Sequence, residues 1–431
     1  MAMVELKSQE TLDRGPLITD VESKVLPLGY ELLPGLNSIY ELELALSEAR
    51  ALTKDELVQR GAYFARIDGK ETNHYRLCSA PLQVGKNSFR LRAFFEVFRY
   101  KTSYATHGLF PYRGKFHPQL IKAIMNIIGL KKGDIVLDPM TGSATTNVEA
   151  SLIGIDSLGF DMNPFAVFMA KVKIDALSMT IQQLEELQSK AVSAFEKLNL
   201  RDTQKKIAEP THTSDPREVV DPLLLLCYFD ALGYSHRVKT KKIDALFPIV
   251  LDRYVSALSN FVSVRDELGL KLGSAKVQQF DARSLEPKVE SSSVDGIITS
   301  PPYSFAIDYL KGDSAQLEYL GYDLSALRDN MLGLRGSGLK NQVFNYLADM
   351  DRVLAEMARV LKPSRYTVII VGTNTVQLEK VEDATGLRIE DELVTLGEKH
   401  GLMLVQRFER PIEGIQNVMR SEHILFLKKK A

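Results

Sequence analysis

The sequence predicts a doubly wound α/β sheet, on three observations. Apolar strand-like segments alternate with amphipathic helical ones over most of the chain, the pattern of βα units with helices on both faces of a parallel sheet. Strand-like segments end at Asp138, Asp161 and Ser300, with Asp281 just inside the end of a fourth, and ligands in open α/β sheets bind beyond the carboxyl ends of strands. The last two strand-like segments, Leu404–Phe408 and His423–Leu427, have no crossover helix between them and are expected to pair antiparallel.

The chain has 431 residues, enough for two or three domains, and its 45% hydrophobic and 25% charged composition is that of a globular protein. Met1–Asp20 is polar, with no signal-peptide pattern, and no apolar run predicts a bilayer span. Cys78 and Cys227 lie far apart, so neither a disulfide framework nor a cysteine metal site is expected. A reducing cytoplasm is the expected location. With a formal net charge of -1, nucleic acid would have to be held by local patches rather than by bulk charge.

In chain order, Ile39, Leu42, Leu46 and Ala49 recur at helical spacing and predict a helix over Ile39–Ala51. Thr53–Arg60 repeats that pattern, while Tyr63–Ile67 and Tyr75–Ser79 read as strands. Residues 1–104 are therefore expected to form a small α+β unit. Within it, Lys86–Lys101 interleaves Phe89, Phe94, Phe95, Phe98 and Tyr100 with basic side chains. This suits either a backbone-tracking, base-stacking surface or an amphipathic element with a solvated basic face.

Tyr112–Leu120 leads into an apolar helix pattern at Ile121, Ile124, Met125 and Ile128, with Pro118 where a helix tolerates proline. Ile135–Asp138 is a buried strand that runs into the small-residue loop Pro139–Thr146 and a helix over Asn147–Leu152. Small residues let the backbone approach a ligand, and the helix start offers unpaired N–H groups. Ala144 disfavours positive φ, so an ordinary backbone conformation is expected there. Ser157–Asn163 reads as a second strand with Asp161 at its end, placed to accept hydrogen bonds from ribose hydroxyls or to cap the next helix.

Residues 178–274 interrupt the alternation with helical stretches and the basic cluster His236–Lys242. That cluster is either a phosphate contact or a solvated loop. The sheet resumes with Lys276–Ala282 and then with Val294–Ile298, which Pro301 and Pro302 stop abruptly. Residues before prolines are pushed towards extended geometry, so the carbonyls of Ser300 and Pro301 can face outward and accept from a planar amine. Tyr303 offers a flat face for a base. The long stretch Ser304–Asn341, ending in glycines around Arg335, is expected to act as a lid. A helix over Asn345–Leu361, a strand over Tyr366–Val371 and part of a helix over Asp391–His400 complete the alternation.

Thr299-Ser300-Pro301-Pro302-Tyr303 resembles the signature of the S-adenosylmethionine-dependent DNA amino-methyltransferases, in the form usual among cytosine-N4 enzymes. Adenine-N6 enzymes more often carry Asp or Asn where this chain has Ser300. Asp138-Pro139-Met140-Thr141-Gly142-Ser143-Ala144-Thr145-Thr146 is similar to the family's cofactor loop, with Met140 in place of Phe and Ala144 in place of Gly. Phe116-His117-Pro118 is similar to the family loop that borders the methionine part of the cofactor. The resemblance covers residues 105–177 and 275–431 and implies a seven-stranded class I methyltransferase (Rossmann-like) core.

S-adenosyl-L-methionine is the implied cofactor, and no metal is required. The cofactor contacts implied are Phe116, His117, Pro118, Asp138, Pro139, Thr141, Gly142, Ser143, Thr145, Asp161, Met162, Asn163, Asp281, Ala282 and Thr299, with Asp281 meeting the adenine amino group. Ser300, Pro301, Pro302 and Tyr303 are the catalytic candidates. Arg237, Lys239, Lys241, Lys242 and Arg335 are the candidate nucleic-acid contacts, the first four on the insertion taken as a recognition element. The leading expectation is methylation of cytosine N4 in DNA, with the target base flipped out of the duplex. An RNA base amine, adenine N6 and an inactive nucleic-acid-binding scaffold remain open alternatives.

Overall fold

The computed structural model describes residues 21, 24–34, 36, 38–79, 103–112, 114–205, 215–238, 240–302, 309–373, 380–383, 385–411 and 421–431. The N-terminal residues form a three-stranded antiparallel sheet of β1 (Tyr30–Leu32), β2 (Phe64–Ile67) and β3 (Lys70–Glu71). With it go α1 (Ile39–Ala51), α2 (Lys54–Arg60) and α3 (Asn73–Ser79). Thr53 starts α2 with a reciprocal capping box to Glu56. The strand expected over Tyr75–Ser79 is instead α3. The Thr72 hydroxyl accepts from the Tyr75 amide and its carbonyl from the Arg76 amide, which begins a helix where β-propensity alone suggested a strand. The aromatic-basic stretch Lys86–Lys101 lies outside the described residues.

The main sheet has seven strands in the order β6-β5-β4-β7-β8-β10-β9. They are β4 (Ile135–Asp138), β5 (Asp156–Asp161), β6 (Ala275–Gln279), β7 (Val294–Thr299), β8 (Leu361–Thr373), β9 (Leu402–Pro411) and β10 (Ser421–Lys429). The β4 to β8 strands are parallel neighbours, and β10 inserts antiparallel between β8 and β9. Counted within this sheet the order is 3-2-1-4-5-7-6, the class I methyltransferase arrangement. The chain reverses direction of growth between β4 and β7, and a crevice opens at such a switch point.

Alternation along the strands assigns each face its cover. Val136, Ile298, Val368, Ile370, Ile424 and Phe426 point to one side, where α4 (Pro118–Ile127) and the N-terminal unit pack. Leu137, Ile297, Ile369, Val371, Leu425 and Leu427 point to the other, under α14 (Leu339–Val360) and α15 (Ile389–Lys399). The N-terminal unit therefore shares one apolar core with the sheet. Buried polar ties reinforce that seam: Asn126 Nδ2 donates to Glu48 (2.6 Å) and Gln119 Nε2 to the Ala62 carbonyl (3.0 Å).

Behind β4 come α5 (Thr145–Leu152) and α6 (Pro164–Ala176). The insertion is helical: α7 (Ile181–Lys205), the short α8 (Pro216–Val219), α9 (Pro222–Arg237) and α10 (Ile243–Glu267). By length and hydropathy α10 would span a bilayer, contrary to the expectation of no such run. Its buried side, including Tyr254, Leu258 and Val262, belongs instead to the insertion core. Between β7 and α14 the chain forms α11 (Tyr309–Gly312), α12 (Ser314–Leu320) and α13 (Leu324–Asn330). This segment is tied down: Gln316 Nε2 donates to the Phe229 carbonyl (3.1 Å) and Tyr319 Oη to the Leu198 carbonyl (2.9 Å). The described part of the expected lid is thus a packed helical cap on the insertion.

Candidate active site

The site is built at the carboxyl end of β4. Asp138 is fully buried, and its Oδ1 accepts from the Met140 amide (3.2 Å) and from Thr299 Oγ1 (2.9 Å), which ties the end of β4 to the end of β7. Burial, opposed only by hydroxyl and amide donors, pushes the Asp138 carboxyl up to about 7. The loop after it lies against β5, where the Thr141 amide donates to the Phe160 carbonyl (2.8 Å) and Thr141 Oγ1 to Asn147 Oδ1. This approach requires Gly159, because a Cβ there would sit 2.9 Å from both Thr141 Oγ1 and Asn147 Oδ1.

Gly142 (φ 48°) and Ala144 (φ 62°) turn the loop into the start of α5 through left-handed conformations. The expectation that Ala144 avoids positive φ is therefore wrong. Its methyl is fully buried against Val167, Ala170 and Val277, and that packing offsets a cost of about 1–2 kcal/mol for the left-handed backbone.

Asp161 ends β5 and is integral to the same loop. Its Oδ2 accepts from the Gly142 amide (2.8 Å) and its Oδ1 from the Asn163 amide (2.8 Å), while burial raises its carboxyl. The helix-capping alternative belongs to Asn163, whose Oδ1 accepts from the Phe165 amide (3.0 Å) at the start of α6. Asn163 Nδ2 also donates to the buried Asp313 carboxylate (2.9 Å) of the cap, where burial raises the acid to about 7.

These strand ends surround a cleft that is open to solvent. Of the sequence-predicted residues, Phe116, Pro139, Thr141, Gly142, Ser143, Thr145, Asp161, Met162, Asn163, Asp281, Ala282, Ser300 and Pro302 line it. His117, Pro118, Asp138, Thr299 and Pro301 stand outside that lining. Asp138 and Thr299 form the buried pair behind the wall, His117 and Pro118 begin α4, and Pro301 is buried at the corner. Tyr303 lies outside the described residues.

Tyr112, Gly114, Lys115, Met140, Phe280, Met331 and Leu332 complete the lining and were not selected from the sequence. Lys115 sits inside a quoted motif, and burial drives its ammonium down to about 8, with Nζ donating to the His107 carbonyl (3.0 Å). Phe280 adjoins Asp281, whereas Met331 and Leu332 reach the cleft through a long-range fold of the cap and carry no local signal.

Of the nucleic-acid candidates, Arg335 is bound to the buried Asp349 carboxylate. Lys239 lies outside the described residues. Arg237, Lys241 and Lys242 are exposed at the tip of the α9–α10 hairpin. Near its far end, α10 packs Phe261 and Val264 against Leu152 at the foot of α5, and Tyr254 Oη accepts from the Phe110 amide (2.8 Å). From there Ile243–Arg253 continues for about 16 Å, so the basic tip projects past the level of Phe110.

A family model described as an RMKL-like methyltransferase domain matches residues 109–211. The type II methyltransferase M.BsoBI of Geobacillus stearothermophilus is 22% identical over 275 residues, 52% of this chain and 54% of that one. M.MjaII of Methanocaldococcus jannaschii is 41% identical over 81 residues, 19% of this chain and 15% of that one. A tRNA (guanine(10)-N2)-dimethyltransferase of Methanothermobacter thermautotrophicus is 37% identical over 54 residues, 12% of this chain and 16% of that one. The chain thus spans about half the length of M.BsoBI and a small part of the other two.

The cleft suits S-adenosyl-L-methionine, the cofactor that the sequence resemblance implies. Glycine and small side chains expose the backbone of the 139–145 loop, Asp161 and Asp281 supply strand-end acceptors, and Met162, Phe280 and Ala282 supply apolar surface between them.

Proposed function

We propose, for a chain whose family is the S-adenosylmethionine-dependent DNA amino-methyltransferases, that it methylates the exocyclic N4 amine of cytosine in DNA, in the cytoplasm. The observation that carries this reading is that Ser300 and Pro302 line the same cleft as the strand-end acids Asp161 and Asp281. When bound, the cofactor supplies an electrophilic methyl group. Phe116, Thr141, Gly142, Ser143 and Thr145 would border its amino-acid end, Asp161 its ribose and Asp281 its adenine.

An aromatic amine is a weak nucleophile because its lone pair is delocalised into the ring. Carbonyl acceptors at Ser300 and Pro301 would draw its hydrogens and shift that lone pair towards the reacting direction, and Tyr303 would hold the ring in line. The amine would bond to the methyl as the methyl–sulfur bond breaks, and its surplus proton, hydrogen-bonded to such a carbonyl, would pass to water. A base in a duplex must leave the stack to reach this corner. Arg237, Lys241 and Lys242 on the projecting tip, with Lys239 between them in sequence, would contact phosphates beside it.

M.BsoBI and M.MjaII favour DNA and a link to a restriction system. The tRNA relative favours a second reading, an RNA base amine, which calls for the same corner. Nucleoside mass spectrometry on DNA and RNA incubated with the protein and cofactor tests both. N4-methylcytosine in DNA is the expected product. N6-methyladenine or a methylated RNA base would replace the substrate, and no product on either polymer would favour a binding scaffold.

A further inference from the structure

Arg283 follows the strand-end acid Asp281 by two residues and is almost completely buried. Its Nε lies 2.9 and 3.0 Å from the two Asp281 carboxylate oxygens, and one terminal nitrogen donates to Asp281 Oδ2 (2.8 Å). That nitrogen also donates to the Asn330 carbonyl (2.9 Å) and stands 3.7 Å from Met162 Sδ. The other terminal nitrogen donates to Asp349 Oδ1 (3.1 Å), a carboxylate that Arg335 also binds.

Each of the first three partners belongs to a different part of one cleft wall. Met162 follows β5, Asp281 follows β6, and Asn330 precedes Met331 and Leu332 on the cap. A planar guanidinium can hold such groups in fixed relative positions, which an ammonium cannot reproduce. We infer that Arg283 is a positioning residue that shapes this wall to receive a flat heterocycle with an exocyclic amine. It fixes the Asp281 carboxylate as the acceptor for that amine and docks the cap against it.

This rests on the methyltransferase reading, where the heterocycle is the adenine of the cofactor. Asp281 stays partly exposed while paired and lines the cleft, so lone pairs remain on its cleft side. Although burial raises the Asp281 acid, bonds from Arg283 hold it below its ordinary range, which keeps the acceptor ionised.

The test is calorimetric binding of S-adenosylhomocysteine and of its analogue lacking the adenine 6-amino group. Proteins compared are the parent, Arg283→Lys, Arg283→Met, Asp281→Asn, the Asp281→Asn/Arg283→Met double variant and Arg335→Met, with melting temperatures for all. Arg283→Met should weaken S-adenosylhomocysteine by about tenfold or more but the deaminated analogue much less, which a merely loosened fold would not do. Arg283→Lys should restore only part of the loss. The double variant should bind like Asp281→Asn, and Arg335→Met, which removes the other arginine on Asp349, should lower melting temperature without changing ligand preference.

Equal losses on both ligands, or additive losses in the double variant, would overturn the inference. If Arg283→Met does not fold, Arg283→Lys binding both ligands as the parent does would overturn it equally. A parent that binds neither ligand would remove the methyltransferase reading itself, a different failure.

Discussion

The two sides of α5 bury carboxylates in opposite ways. On the cleft side, Asp138 is held by hydroxyls and an amide, and burial lifts it to about 7. On the back, Glu149 lies one turn into the helix and is also fully buried, but it meets His107 Nε2 (2.6 Å), Tyr104 Oη (2.7 Å) and Lys122 Nζ (3.2 Å). Burial raises the Glu149 acid, yet Lys122, His107 and Tyr104 outweigh it and hold it below its ordinary range. Lys122 in turn meets His74 Nδ1 (2.9 Å), so one carboxylate ties α3, α4 and the 103–112 segment to α5. The back is built for attachment, and the front leaves its acids to shape a loop.

Removing the attachment should have the largest effect. Glu149→Ala strands Lys122 in the core and should cost about 3–5 kcal/mol, read from urea unfolding. Asp138→Ala, without an ion pair to break, should cost less. Equal losses would erase the distinction between the two sides.

pH should separate them by sign. Glu149, held low, contributes stability that is present above its unfolded value and lost as pH falls through its folded value. Burial holds His107 neutral down to about 4, so the unfolded chain takes up its proton first and stability falls as pH drops from about 6.5 to about 4. Asp138 works the other way. The folded protein keeps its proton up to about 7 while the unfolded chain releases it near 3.8, so stability declines as pH rises between those values. Asp138→Asn preserves an acceptor for Thr299 and Met140 and removes that decline. Relative to the parent it should gain stability progressively from pH 4 to 7, by up to roughly 3 kcal/mol, given about 1.4 kcal/mol per pKa unit. A flat difference across that range would mean Asp138 is ionised when folded.

Asp161 belongs to the front but touches the cleft. Asp161→Ala should weaken S-adenosylhomocysteine by roughly 1.5–3 kcal/mol, from lost charge-assisted hydrogen bonds. Because Asp161 also anchors the Gly142 and Asn163 amides, Asp161→Asn is the control that keeps an acceptor for one of them. Unchanged calorimetric affinity in the alanine variant would take Asp161 out of the site.

The front was legible in the sequence and the back was not, for a physical reason. Strand-end acids, small loop residues and a Pro-Pro stop are contiguous signals, so Asp161, Gly142 and Ser300 could be named from the chain alone. Glu149 looks like an ordinary helix residue, because its three partners come from two distant segments and only folding brings them together. Arg283 escaped for the same reason, with its meaning supplied by Asn330 and Asp349. Met331 and Leu332 needed the cap to fold back over the cleft. The α3 error was local: the hydroxyl and carbonyl of Thr72 start a helix that β-propensity over Tyr75–Ser79 concealed.

The smallest expected effect concerns Ala144, where the front of α5 begins. Glycine there would relieve a left-handed backbone that costs alanine about 1–2 kcal/mol. It would also remove a fully buried methyl worth about 0.8 kcal/mol and increase the freedom of the unfolded chain by roughly 0.4–1 kcal/mol. The terms nearly cancel, so Ala144→Gly should leave the unfolding midpoint almost unchanged. A larger residue has no such balance: Ala144→Val keeps the strain, and its branches must enter the packed space between Val167, Ala170 and Val277. It should destabilise the protein by about 1–3 kcal/mol and weaken S-adenosylhomocysteine through the displaced loop. If glycine instead stabilised the protein by a full 1–2 kcal/mol, the methyl would contribute nothing to packing. If valine were neutral, the left-handed start of α5 would not exist in solution.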